Sequence, residues 1–165
     1  KEAHHEPVFT SEEAAKVRGS KLEQGAKALV FWADGSPIQI VIQGNQKVDK
    51  EKFKSLFGFS KLKMVSADEL KIISSVEPGA VSPFGNLFDP PISVYVNEGF
   101  SDIIEFNAGD HRISIQMKYK DWLDLVNPIV ADYGERTQKN LVLLKGCFMV
   151  IKRKGVERVV FTVMT

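Results

Sequence analysis

Apolar residues follow two different patterns in the first part of this chain, and each pattern predicts a different strand. Ala26 to Trp32 is a nearly unbroken apolar run, which is typical of a buried strand. Asp34 to Pro37 has the composition of a turn, and Ile38 to Gln43 alternates like the returning strand of a hairpin. Together these segments predict a β-hairpin with one buried strand.

Four helices are predicted from their end signals and apolar spacing. Thr10 is the N-cap of the first helix and Glu13 its capping-box partner, and the helix ends at Gly19 after Arg18. Ser66 to Glu69 forms a second capping box, whose helix runs to about residue 73. The other two helices are amphipathic. Asp49 caps one of them, which ends at Gly58 and has the inner face Phe53, Leu56 and Phe57. Residues 118–126 form the other, with the inner face Trp122, Leu125 and Val126.

The remaining β-type runs are short and do not alternate regularly with helices. They cover residues 61–65, 93–96, 103–107 and 113–117, with a tight turn over Asn107 to Asp110. Residues 137–165 add β-rich runs at 141–144, 147–151 and 156–163, with Lys154-Gly155 as a hairpin tip. Because hairpins and helices interleave without a βαβ repeat, the order predicts a mixed α/β (α+β) fold and not a doubly wound sheet.

Composition is that of an ordinary globular protein with one domain. The 165 residues are 44% hydrophobic and 26% charged, with a formal net charge of +1. No apolar run approaches the ~20 residues that span a bilayer, and no signal peptide is visible at Lys1. The single cysteine, Cys147, excludes an internal disulfide and is typical of a reducing compartment, so we expect a cytoplasmic location.

The segment from Glu77 to Gly85 is the most informative in the chain, because two prolines and two glycines fall within it. Proline fixes φ and lacks an amide, whereas glycine adopts backbone angles that are closed to other residues. The segment is therefore predicted to be a stiff loop whose amides at 79–82 and 84–85 are free of strand pairing. Such amides can bind a carbonyl, a carboxylate or a phosphate, although a simple chain reversal explains the composition equally well.

The usual catalytic layouts are missing from the sequence. It contains no zinc-ligand spacing, phosphate-binding loop, dinucleotide fingerprint or nucleophile elbow, so we expect no metal, no cofactor and no side-chain nucleophile. Lys27 is an exception, because an ammonium at the mouth of a buried strand must reach solvent, pair with a carboxylate or face a cleft that receives an anion. His111 is either a packed histidine or a functional one, and Cys147 is expected to be an inert packed thiol.

Two clusters of basic residues suit either phosphate contact or an ordinary solvated face. The first contains Lys47, Lys50, Lys52, Lys54, Lys61 and Lys63, and the second is Lys152-Arg153-Lys154.

The chain carries five motifs in order: His5-Glu6-Pro7 with Thr10 to Ala15, Gly25 to Val30, Lys47-Val48-Asp49, Glu77 to Gly85, and Asn107-Ala108-Gly109. In this order they resemble the YbaK-like family of aminoacyl-tRNA deacylases, also called the prolyl-tRNA-synthetase-associated editing domain. The resemblance runs from about His4 to Tyr133, which is most of the chain.

The resemblance implies a compact mixed, partly barrel-like β-sheet flanked by helices, and a trans-acting deacylase that hydrolyses the ester of mischarged tRNA. Lys27 matches the family lysine that binds the 3′-terminal region of the substrate. Gly79 begins the part of the loop that holds the aminoacyl group through backbone groups. The implied substrate-binding positions are Ala80, Val81, Ser82, Pro83, Phe84, Gly85, Asn107, Gly109 and His111, and the expected tRNA-binding positions are Lys47, Lys50, Lys152, Arg153 and Lys154.

Mischarged tRNA, through its 3′ end, is the expected partner, and an aminoacyl-tRNA synthetase is a second one. A pocket around Gly79, Phe84 and His111 is expected to admit a small side chain and to exclude a larger one. Two alternatives remain: a non-catalytic module that binds tRNA or a synthetase, and a small-ligand binder on the same scaffold. Residues 1–136 are predicted to form the editing domain. Residues 137–165 are predicted to be an extension that covers a sheet edge, pairs two subunits or contacts tRNA.

Overall fold

The computed structural model describes residues 1–136 and, as backbone, residues 148–153 and 156–161. These residues form short helices and several small sheets, which confirms the predicted mixed α/β class. The elements are β1 (Glu2–His4), α1 (Ser11–Arg18), β2 (Ala26–Ala33), β3 (Ser36–Gln43), β4 (Gln46–Val48), α2 (Lys50–Phe57), β5 (Leu62–Met64), α3 (Ala67–Ser74), β6 (Ser93–Asn97), β7 (Ile103–Asn107), β8 (Ile113–Lys118), α4 (Tyr119–Val126), β9 (Ile129–Ala131), β10 (Gly134–Arg136), β11 (Phe148–Arg153) and β12 (Val156–Phe161).

The largest sheet has five strands in the order β5-β2-β3-β6-β9. β2 and β3 form the predicted antiparallel hairpin, whereas β6 pairs in parallel with both β3 and β9. The turn is shorter than predicted: Asp34 and Gly35 alone connect the strands, with φ angles of 47° and 89°. Two residues at positive φ match the twist of a hairpin, so Ser36 and Pro37 already belong to β3.

The central strand β3 is buried on both faces from Ile38 to Gln43. Ile38, Ile40 and Ile42 point into an aromatic cluster that includes Phe53 of α2. Val41 points to the opposite face, where Trp122 and Val126 of α4 cover the sheet. The polar residues of that face, Gln39 and Gln43, are also buried, since packed elements cover this face instead of solvent.

Two smaller sheets and a separate hairpin complete the described part of the chain. β1, β8 and β7 form an antiparallel sheet, and β10 pairs with β4. The described strands do not close into a barrel. β11 and β12 pair antiparallel with Arg153 opposite Val156, as the predicted hairpin requires. Its expected tip Lys154-Gly155, the run at 141–144 and Cys147 lie outside the described residues.

The helices begin and end where their capping signals lie. Thr10 and Ser66 each form a complete capping box, and Gly19 ends α1 with a left-handed φ of 66°. Two predicted inner-face residues are wrong, because Leu56 is 52% exposed and Leu125 is 64% exposed. A helix of two turns buries only a narrow stripe. None of the helices in the described ranges is both long enough and apolar enough to cross a membrane.

Candidate functional site

A cleft of about 260 Å³ opens between α1, the beginning of β2, the loop over residues 77–85 and the end of β7. It brings together four of the residues singled out in the sequence: Lys27, Gly79, Val81 and Asn107. Its walls also include Thr10, which is the N-cap of α1, Ser11, and the two residues before them, Val8 and Phe9. The cleft is therefore the candidate functional site.

Lys27 lies on the wall of this cleft as a half-buried cation. Its Nζ donates a hydrogen bond of 2.6 Å to the carbonyl oxygen of Gln46 on β4. Burial lowers the pKa of the Lys27 ammonium, the charge of Glu12 opposes that effect, and the charge of Lys47 adds to it. The sequence left three placements for this lysine: reaching solvent, pairing with a carboxylate or facing a cleft. The structure favours the third, with the ammonium bound by a backbone carbonyl.

Buried side chains hold the loop over residues 77–85 from behind. Gln39 is fully buried and makes two hydrogen bonds to the loop: its Nε2 donates to the Ser82 carbonyl at 2.9 Å, and its Oε1 accepts from the Gly85 amide at 2.8 Å. Trp122 Nε1 donates to the Pro83 carbonyl at 3.0 Å. These contacts fix the second half of the loop in one path.

The loop amides are free of strand pairing as predicted, but two of them are used inside the protein. The Ala80 amide donates to the Glu77 carbonyl at 3.1 Å, and the Gly85 amide donates to Gln39. Within the described residues, the amides of Gly79 and Val81 donate to no acceptor, and both residues line the cleft. We therefore take these two amides as the candidates for binding a group in the cleft.

The turn after β7 packs directly against the first half of the loop. Asn107 Nδ2 donates to the Gly79 carbonyl at 2.8 Å, and the Gly109 amide donates to the Ala80 carbonyl at 2.9 Å. His111 lies behind Gly79, with its Nδ1 2.9 Å from the Val8 carbonyl and its ring centroid 4.6 Å from that of Phe9. The loop and the Asn-Ala-Gly turn are thus one assembly at the mouth of the cleft.

Other candidate residues lie elsewhere. Ser82 and Phe84 line a separate opening of about 320 Å³, beside Phe106 and Met117. The structure therefore does not bring Phe84 into the cleft that Gly79 lines. Ala80, Pro83 and Gly85 are buried, and Gly109 and His111 support the loop without lining the cleft.

The basic candidates divide between the described and undescribed parts of the chain. Lys47 is exposed on β4, and the Lys50 ammonium lies 5.7 Å from the centre of the Phe31 ring. Lys152 and Arg153 belong to β11, of which only the backbone is described, and Lys154 lies outside the described residues.

Two charged residues that line the cleft, Arg18 and Glu105, were not predicted from the sequence as site residues. Arg18, half-buried at the end of α1, donates from Nη2 to Asn107 Oδ1 at 2.6 Å and from Nε to Ser114 Oγ at 2.8 Å. Burial lowers the pKa of Arg18, and the negative charge of Glu105 partly opposes this. Arg18 looks like an ordinary C-terminal helix cation in the sequence. The detectable signal was Glu105, a carboxylate between the apolar residues Ile104 and Phe106 of β7.

Comparison with known proteins shows the family to which the chain belongs. A family model for the aminoacyl-tRNA editing domain matches residues 5–125. The proline–tRNA ligase of Staphylococcus epidermidis is 28% identical over 131 residues, which are 78% of this chain and 22% of the ligase. That of Staphylococcus saprophyticus is 28% identical over 102 residues, or 62% of this chain and 18% of the ligase. The chain therefore spans about a fifth of the length of these curated relatives.

Solved structures show the same fold. A protein proposed to be a trans-editing enzyme for prolyl-tRNA synthetase superposes with a TM-score of 0.75 at 25% identity, covering 82% of this chain and 86% of that one. A hypothetical protein superposes with a TM-score of 0.74 at 20% identity, covering 82% and 91%. The resemblance deduced from the five motifs is confirmed: the chain belongs to the family of aminoacyl-tRNA editing domains.

Proposed function

We propose that this protein is a trans-acting aminoacyl-tRNA deacylase, which hydrolyses the ester between a wrongly attached amino acid and the terminal adenosine of tRNA. One observation carries the proposal: Lys27, Gly79 and Val81 line a single cleft, and within the described residues the amides of Gly79 and Val81 donate to no acceptor. Membership of the editing-domain family supports an editing role. The likeness to proline–tRNA ligases and to a proposed trans-editing enzyme supports tRNA and a synthetase as partners.

The chemistry needs no nucleophilic side chain, because an aminoacyl ester is already activated. Water, or the neighbouring ribose hydroxyl followed by water, attacks the ester carbonyl carbon. The bond to the ribose oxygen then breaks, that oxygen takes a proton, and a free amino acid and an uncharged tRNA result. Attack places negative charge on the carbonyl oxygen, which the Gly79 and Val81 amides would stabilise. One such donor typically contributes about 10²–10³-fold in rate.

Lys27 would bind the negatively charged 3′-terminal nucleotide and so orient the ester toward the loop. Lys47 is close enough to lower the pKa of Lys27, so it carries positive charge on the same side of the molecule. We propose that Lys47 and Lys50 contact the tRNA backbone next to the cleft, and that Lys152 to Lys154 add a second contact.

The size of the accepted amino acid would be set at the rim of the cleft, where His111 packs against Gly79. Because Phe84 lines the other opening, we assign the sieve to Gly79, Val81 and the His111 behind them. Such a pocket excludes larger side chains sterically, while a single methylene changes binding by only about 1–3 kcal/mol.

The test is hydrolysis of a panel of tRNAs charged with small amino acids, comparing the unaltered protein with Lys27→Ala. Lys120→Ala is the matched control, since Lys120 is an exposed lysine of α4 that does not line the cleft. We expect release of one or a few amino acids, a loss of at least tenfold in Lys27→Ala, and an unchanged rate in the control. Equal rates in all three proteins would refute the role of Lys27. Salt-sensitive tRNA binding without any release would instead support a non-catalytic binding module.

A further inference from the structure

Glu105 presents a buried carboxylate in the cleft. It is only 3% exposed, yet it lines the cleft together with Lys27, Arg18 and Asn107. Its Oε1 accepts a hydrogen bond from Gln116 Nε2 at 2.7 Å, which fixes the orientation of the carboxylate. Its Oε2 is buried and has no hydrogen-bond partner within the described residues.

A buried carboxylate oxygen without a donor is costly, so such a group is expected to have a role. Arg18 does not satisfy it, because its Nε and Nη2 are directed to Ser114 and Asn107, and the described ion pairs do not include Glu105. Arg18 lies near enough to stabilise the negative charge electrostatically. The carboxylate is therefore held, oriented and left with one oxygen for a ligand that donates hydrogen bonds.

Glu105 lies beside the beginning of β2. Gly25 and Glu105 form a parallel β-bridge, so the beginning of β2, with Lys27 two residues further on, lies beside the carboxylate. The cleft is thus lined by the Lys27 cation and by a carboxylate with one unpaired oxygen, on two strands that approach each other at this bridge. The 3′ end of an aminoacyl-tRNA carries the complementary pair, a phosphate at the terminal nucleotide and an α-ammonium on the amino acid.

We infer that Glu105 binds the α-ammonium group of the aminoacyl moiety and so restricts the cleft to esters with a free α-amino group. This inference rests on the proposed deacylase function. Esters whose nitrogen is acylated, as in peptidyl- or formylaminoacyl-tRNA, and esters of α-hydroxy acids would be poor substrates. They leave Oε2 of Glu105 with a weaker donor or with none.

The test compares two esters of the same tRNA, one carrying the preferred amino acid and one carrying its α-hydroxy analogue. The two acyl groups have nearly the same size and differ in the charge at the α position. Each rate is divided by that of spontaneous hydrolysis of the same ester, because the ammonium itself activates the ester. We expect the unaltered protein to favour the aminoacyl ester by about tenfold or more in kcat/KM, as a charge-assisted hydrogen bond would give.

In Glu105→Gln this preference should fall to within about twofold of unity, mainly through a higher KM for the aminoacyl ester. Glu98→Gln is the matched control, since Glu98 is exposed and lies outside the cleft lining. A purely structural role for Glu105 would slow both esters equally and leave the preference intact, which would overturn the inference. If Glu105→Gln does not fold, the unaltered protein alone still tests the inference. Equal normalised rates for the two esters would overturn the role of Glu105 in binding the α-ammonium. Absence of hydrolysis for every ester would refute the deacylase function instead, so the two failures are distinguishable.

Discussion

Replacing Gly79 by alanine tests whether the loop and His111 form one rigid assembly. Gly79 has a φ of +89°, a region that a residue with a Cβ atom rarely adopts. A Cβ atom at this position would lie 3.1 Å from His111 Cε1, which is closer than carbon atoms normally approach. The Nδ1 contact with Val8 and the Phe9 ring hold the imidazole there. The substitution therefore introduces backbone strain and a close contact together.

The two effects can be separated in magnitude. A residue with a Cβ at positive φ costs about 1–2 kcal/mol, and the smaller conformational entropy of unfolded alanine offsets about 0.4–1 kcal/mol of this. Strain alone should therefore lower the free energy of unfolding by about 0.5–1 kcal/mol. Overpacking against a held side chain adds about 1 kcal/mol or more. We expect about 2 kcal/mol for Gly79→Ala in total.

The assay is urea unfolding of Gly79→Ala beside Gly58→Ala, a glycine that ends α2. Gly58 has a φ of +74°, and a Cβ there would meet no atom within 4 Å, so this variant reports strain alone. Adding His111→Ala to each glycine variant should remove the excess cost of Gly79→Ala and leave Gly58→Ala unchanged. If Gly79→Ala costs no more than Gly58→Ala, the close approach of His111 does not constrain the loop. Of the two single glycine variants, only Gly79→Ala should slow deacylation, because Gly58 lies outside the cleft lining.

Further predictions concern the supports of the cleft. Gln39→Leu leaves the Ser82 carbonyl and the Gly85 amide without their hydrogen-bond partner. We therefore expect the free energy of unfolding in urea to fall by about 2–5 kcal/mol and deacylation to slow. A fall below about 1 kcal/mol would contradict the role of Gln39 in anchoring the loop. Thr10→Ala and Ser66→Ala each remove the side chain that caps a helix, and each should lower the free energy of unfolding by about 1 kcal/mol. Only Thr10 lines the cleft, so only Thr10→Ala should alter hydrolysis. Amide hydrogen bonds from Phe9 and Thr10 hold the pKa of Glu13 below its ordinary value. Their contribution is complete above pH ~4.3 and is lost as the pH falls below that value. The cost of Glu13→Gln should therefore be largest above pH ~4.3 and should shrink in more acid solution, as unfolding followed by circular dichroism at several pH values would show.

Local signals predicted the helices to within about a residue, because a capping box is complete within four positions of the chain. Thr10 with Glu13 and Ser66 with Glu69 specify their helix starts without any distant partner. Strands β1, β4, β9 and β10 were missed, since each has only three residues and exists through pairing with a distant strand. Burial of β3 on both faces was also not predicted, because it depends on packing against an element that is distant in sequence. Its alternation is real, but the cover on the second face comes from α4.

The residues of the candidate site also divide into those that the sequence identified and those whose role depends on distant contacts. Motif order led to Lys27 and Gly79, and the structure brings both into one cleft. The residues that hold them did not stand out, because their partners are remote: Gln39 reaches the loop across 43 positions and Trp122 across 39. A glutamine in a strand and a tryptophan on a helix look like ordinary core residues until the contact is visible.

The placement of Lys27 depends on a segment beyond residue 125, where the match to the editing-domain model ends. The lysine donates to the carbonyl of Gln46, whose side chain accepts from Asn97 Nδ2 at 3.0 Å. Asn97 Oδ1 in turn accepts from the amides of Tyr133 and Gly134 at 2.7 and 2.6 Å. A Cβ on Gly134 would lie 2.7 Å from both Asn97 Nδ2 and Gln46 Oε1, so a larger residue there would have to displace this hydrogen-bonded pair. The strand pair β4 and β10 therefore helps to position the cation of the cleft, although neither strand belongs to its walls.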